Sequence, residues 1–167
     1  QKLCSFDFFS TNGTNEEIIK SIEEKIKNNT SMLICTHVSN VGERRLPIFE
    51  IGQLCKKYGL TFIVDGAQSA GIHNISVKKM NISALCVPSH KGLYGPQGIG
   101  ALILNDDTVG RPIIEGGTGI NSLDPYMPDF SPEAYEAGTP STPVIAGLVA
   151  SLKWLKEINI DKIRAHE

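Results

Sequence analysis

Two apolar runs, one ending on Asp65 and the other leading into His90-Lys91 at the head of a glycine-dense turn, constrain this chain more than any other feature. The first run, 60–64, is β-branched and aromatic (L-T-F-I-V) and ends on Asp65, followed by the small residues G-A-Q-S-A-G. The second, 82–87, ends on Pro88-Ser89-His90-Lys91 and opens the turn Gly92, Gly95, Pro96, Gly98 and Gly100. Short apolar runs bounded by small residues read as buried strands. Strands that deliver polar groups at their C-terminal ends suit an open α/β sheet, in which ligands bind outside those ends.

The rest of the chain supports that architecture. Thr14-Asn15-Glu16-Glu17 reads as a capping box, and Ile18, Ile19, Ile22 and Ile26 give one helical stripe to about Lys27. Met32–Thr36 reads as a buried strand ending on His37-Val38-Ser39-Asn40. Pro47 suits a first helical position, and Ile48, Ile51, Leu54, Cys55 and Tyr58 keep helical spacing until Gly59. Strand, helix, strand in series predicts a mostly parallel sheet with right-handed crossovers. The segment 100–104 follows strand 82–87 too closely for a parallel crossover and is expected antiparallel. A further strand is expected at 3–9 and a helix at 144–158, with Ile145, Leu148, Leu152 and Leu155 on one side. Between them, 105–143 holds six of the nine prolines and reads as a long functional or interfacial loop. The fold class is therefore α/β, a mostly parallel sheet flanked by helices.

Asp65 alone reads as a loop or cap carboxylate, and Lys91 alone as a surface lysine. Together, at two strand ends and beside Gln68, His90 and a turn that lets backbone approach a ligand, they point to pyridoxal phosphate (PLP). In PLP enzymes a lysine carries the cofactor as a Schiff base and a charged partner tunes the pyridine nitrogen. The turn has neither G-x-G-x-x-G nor G-x-x-x-x-G-K-[ST], which excludes a nucleotide loop. The four histidines show no metal-ligand spacing. A net charge of −2 gives no basic surface for nucleic acid, and no apolar run reaches the ~20 residues of a membrane span. Four scattered cysteines without C-x-x-C, three of them in apolar contexts, read as reduced core thiols. With no signal peptide evident, a cytoplasmic location is expected.

The sequence resembles the class V aminotransferases, and within them the cysteine desulfurase-like enzymes. D-G-A-Q-S-A-G (65–71), S-H-K-G-L-Y-G-P-Q-G-I-G (89–100), T-H-V-S-N-V (36–41), G-G-T-G (116–119) and E-A-G-T-P-S-T-P (136–143) carry the resemblance, in order and with family-like spacing. It implies a fold like the large domain of fold-type-I PLP enzymes. Residues 1–167 would be the central part of that domain, with an N-terminal segment and a small C-terminal domain absent.

By the same resemblance Lys91 is the catalytic, cofactor-bearing lysine and Asp65 pairs with the pyridine nitrogen. Gln68 donates to the ring's phenolic oxygen, Asn40 lies near that oxygen and the substrate carboxylate, and Ser89 and His90 lie at the phosphate end. Thr118 matches a loop that reaches the phosphate of a neighbouring subunit in family homodimers, though G-G-T-G reads equally well as a plain turn. Pro88 and Ser89 stand where the family commonly has Ser or Thr and then Gly, so one phosphate donor is altered and Ser89 is the substitute. The implied activity is desulfuration of L-cysteine to L-alanine, with sulfur passed to a mobile cysteine and on to an acceptor protein. None of the four cysteines occupies that place. The alternatives are another member of the class (aminotransferase, selenocysteine lyase or epimerase) or a non-catalytic dimerising scaffold.

Overall fold

A computed structural model describes residues 4–42, 44–105, 110, 112–120 and 123–166. The elements run α1 (Asn15–Glu23), β1 (Met32–Thr36), α2 (Ile48–Tyr58), β2 (Thr61–Asp65), β3 (Ala84–Pro88), β4 (Gly100–Leu104), α3 (Thr142–Ile158) and α4 (Ile160–His166). The four strands form one sheet in the order β1-β2-β3-β4. β1, β2 and β3 are parallel and β4 is antiparallel to β3, as the short connection requires.

The capping box forms: Thr14 Oγ1 accepts from the Glu17 amide at 3.3 Å and Glu17 Oε2 accepts from the Thr14 amide at 2.6 Å. α1 ends at Glu23 instead of running to about Lys27, because its last amides switch to tighter bonds, Lys25 to the Ile22 carbonyl and Ile26 to that of Glu23. The 3₁₀ pattern is a common way for a helix to end. Pro47 is the cap of α2 and not its first turn, and Gly59 stops the helix with φ of 65°. Glu23 accepts from both Lys57 Nζ (2.8 Å) and the Tyr58 hydroxyl (2.6 Å), tying α1 to the end of α2.

The core lies on one side of the sheet. Ile18 and Ile22 of α1 and Ile48, Ile51, Leu54 and Cys55 of α2 pack on the inward row Leu33, Cys35, Phe62, Val64, Leu85 and Val87. The opposite row carries Met32, Ile34, Ile63, Cys86 and Leu102; of these Met32, Ile34 and Leu102 are about half exposed or more. The strands are apolar on both faces, as parallel strands usually are, but only one face is covered.

Two expectations are corrected here. Cys4–Phe9 is not a strand: it pairs with nothing in the sheet, and Phe6 and Phe8 stand exposed, edge to face at 5.5 Å. Apolar alternation does not make a strand without a ladder partner for its backbone groups. Cys86, expected among the core thiols, is exposed on the outer row; Cys35 and Cys55 are buried as expected. The long loop holds only one turn of 3₁₀ helix, Glu133–Tyr135, among its described residues.

Candidate active site

Six of the seven sequence-expected residues, all but Thr118, lie at or just beyond the ends of three strands. β2 extends one residue further than its apolar run suggests, so Asp65 is its last residue, paired across the sheet with Thr36 and Cys86. Its backbone carbonyl accepts from the His37 amide at 2.9 Å. Its side chain is exposed, and Oδ1 accepts from the Ala67 amide at 2.9 Å, an Asx turn that fixes the carboxylate and leaves Oδ2 for another donor. Gln68 Nε2 donates to Asn40 Oδ1, so the chain ends beyond β1 and β2 are joined side chain to side chain.

β3 delivers the lysine. Ser89, immediately after it, is fully buried and held at both ends by backbone bonds: its amide donates to the Ile99 carbonyl and its carbonyl accepts from the Gly95 amide. Its hydroxyl is buried without a partner. Gly95 makes that possible, since a Cβ there would sit on Ser89 Oγ and 3.1 Å from Leu148 Cδ1 of α3. His90 is exposed and Lys91 partly buried, with no ion pair or hydrogen bond from its amine among the described residues. The turn is braced by Tyr94, whose ring meets Trp154 of α3 edge to face at 5.6 Å.

Asp65, Ala67, Cys86, Pro88 and Gly100 line an open depression at this sheet end; Lys91 is not among its lining residues. Thr118 is partly buried in its own loop, which the Gly138 amide closes onto the Gly117 carbonyl at 3.0 Å. No described contact brings Thr118 to the strand ends. Among the described residues no group of three or more His, Cys, Asp or Glu is placed to hold a metal ion, and no helix is long and apolar enough to cross a membrane.

Three of the four thiols are poor nucleophiles. Burial pushes Cys35 and Cys55 up to about 12, and burial, then the Asp65 carboxylate, raises Cys86. Cys86 beside Asp65, and the orphaned hydroxyl of Ser89, are features that motif reading missed. Strand alternation could have placed Cys86 on Asp65's row; nothing local could have announced the burial of Ser89.

His37 is a structural residue, only 5% exposed. Burial, then neighbouring His73 and Arg45, holds its pKa down to about 4, against 6.5 for a free imidazole. The unfolded chain therefore binds the extra proton between about pH 6.5 and 4, and stability should fall as pH drops through that window, by up to about 3 kcal/mol. Urea unfolding at pH 7 and pH 4.5 checks this, with His37→Gln flattening the difference. An unchanged pH slope in the variant would refute it.

The sequence model of the aminotransferase class-V family matches residues 7–167. The chain belongs to that family. It is 39% identical over 149 residues to a probable cysteine desulfurase of Pyrococcus abyssi, covering 87% of this chain and 37% of that protein. Its fold is similar to the apo cysteine desulfurase of Thermococcus onnurineus NA1, with a TM-score of 0.81 and 36% identity over 95% of this chain and 40% of the other. SspA, solved in complex with cysteine, gives a TM-score of 0.69 at 32% identity over 81% of this chain and 36% of the other. The chain thus spans about 37% of the length of the P. abyssi relative. The fold is the α/β architecture of these class V proteins, with a mostly parallel sheet and flanking helices.

Proposed function

We propose that this chain supplies the cofactor-binding centre of a PLP-dependent enzyme acting on an amino acid, with L-cysteine as the substrate and a cysteine desulfurase-like reaction. One observation carries it: Asp65 ends β2 and Lys91 follows the end of neighbouring parallel β3 by three residues, the carboxylate oriented by an Asx turn and the amine without a partner among the described residues. The name of the P. abyssi relative and the cysteine bound to SspA support the choice of substrate.

The residues present fit PLP. Asp65 Oδ2 is available to a pyridinium N–H, and the buried hydroxyl of Ser89 lacks the acceptor that a phosphate oxygen would supply. Lys91 would hold the cofactor through its amine, with His90 and Ser89 at the phosphate end. Gln68, anchored by Asn40 through one N–H, keeps its second for a ring oxygen. When bound, PLP supplies an electron sink for charge developing at the substrate's α-carbon. Asp65 favours that by keeping a positive ring nitrogen. Lys91, once released, carries a proton to or from the α-carbon.

Desulfuration breaks the Cβ–S bond of cysteine, leaves alanine and passes the sulfur to a thiol. By the resemblance none of the four cysteines occupies the place of the sulfur-accepting thiol, and the raised thiols of Cys35, Cys55 and Cys86 agree with that, so the accepting thiol would belong to another part of the protein or to an acceptor protein. The open apolar row Met32, Ile34 and Leu102 agrees with residues 1–167 being the central part of a larger domain, and Thr118 would serve a partner subunit in a homodimer.

The test is to supply PLP, L-cysteine and dithiothreitol and measure alanine and sulfide together. Equal yields are expected. Amino transfer to a keto acid, without sulfide, would overturn the reading in favour of an aminotransferase.

A further inference from the structure

On the α2 side of the sheet, the face opposite the Asp65 side chain, two imidazoles and two guanidiniums converge. His37 continues the inward row of Leu33 and Cys35, and its ring centroid lies 5.6 Å from that of His73. After burial, Arg45 is among the influences lowering both histidines, and Arg164 also bears on His73. Two guanidiniums gathered at one place are costly unless an anion joins them.

These side chains share a cavity of about 210 Å3 with Phe49 and Glu50. Three features there are unsatisfied. The Nδ1 atoms of His37 and His73 are buried without partners, and His37 itself is 5% exposed. Arg45 makes no ion pair among the described residues, whereas Arg164 is paired with Asp161 at 3.3 Å. α2 opens onto the cavity with Pro47 as a cap that gives no side-chain hydrogen bond, and the amides of Phe49 and Glu50 have no acceptor among the described residues. Free first-turn amides and the helix dipole favour an anion there. The negative groups facing the cavity are Glu50 and, through Arg164, Asp161.

We propose that this cavity binds a free tetrahedral oxyanion, phosphate or sulfate, between Arg45, Arg164, the imidazoles and the start of α2. Guanidiniums and first-turn amides match such an anion, and the confined volume favours the free ion over a large ester. The site shares no residue with the proposed cofactor site and stands independently of that function.

The test titrates the chain at pH 7 with inorganic phosphate at constant ionic strength and follows the histidine side-chain 15N–1H resonances. Saturable shifts of His37 and His73 are expected, with sulfate competing and chloride not. Arg45→Gln, at an exposed position and so compatible with folding, should weaken binding at least tenfold; Arg164→Gln should weaken it further in the double variant. Absence of saturable shifts, or shifts that persist in the double variant, would overturn the proposal. So would movement of His90 alone, which would place phosphate at the lysine-bearing turn.

Discussion

Replacing Lys91 with alanine should eliminate covalent attachment of PLP. With the wild-type sequence, added PLP should give a visible absorption band, and borohydride reduction should fix the cofactor to the peptide containing Lys91. The expected selectivity is structural. Lys91 is partly buried just beyond β3, whereas every other described lysine is exposed, Lys25 and Lys57 being engaged with Asp7 and Glu23. Loss of the lysine also removes the proton carrier at the α-carbon, which alone should reduce turnover by about 10²–10⁴. A labelled peptide elsewhere, or a band that survives in Lys91→Ala, would exclude the assignment.

The second large effect is expected at Gly71. Its φ is 85°, and a Cβ there would fall on the carbonyl of Gly92, while a Cβ on Gly92 would strike the carbonyl of Ala70. The turn after Asp65 and the turn after Lys91 therefore meet backbone to backbone, which sets the spacing of carboxylate and amine. Gly71→Ala adds a left-handed conformation, about 1–2 kcal/mol, and a displacement similar to overpacking, about 1–3 kcal/mol. A total loss of about 2–5 kcal/mol in urea unfolding is expected, together with weaker PLP attachment. Gly98→Ala is the control: its φ is 81°, yet no atom lies within 4 Å of the added Cβ. It should cost only the conformational part, and equal effects at the two glycines would refute the close-approach argument.

Much of this fold was legible because its determinants are local. The capping box of α1, the stop at Gly59, the apolar runs of β1, β2 and β3 and the short link forcing β4 antiparallel all act within a few residues. Gln68 and Asn40 meet side chain to side chain because each lies within four residues of the end of one of two adjacent strands, β2 and β1. Cys4–Phe9 failed for the complementary reason. Its pattern is that of a strand, but a strand exists only where another edge accepts its hydrogen bonds.

The sequence by itself determined β1 to β4, α1, α2 and α3 and their order, and that a carboxylate ends one strand while a lysine follows the next by three residues. Periodicity, capping and connection length are encoded over short spans, so they survive without knowledge of the neighbours. The tertiary structure alone decided that Ser89 is buried with an unpartnered hydroxyl, that Cys86 faces outward beside Asp65, and that His37, Arg45, His73 and Arg164 share one cavity. Those outcomes depend on which surfaces meet, and burial and charge proximity arise between residues as much as 127 positions apart, from His37 to Arg164.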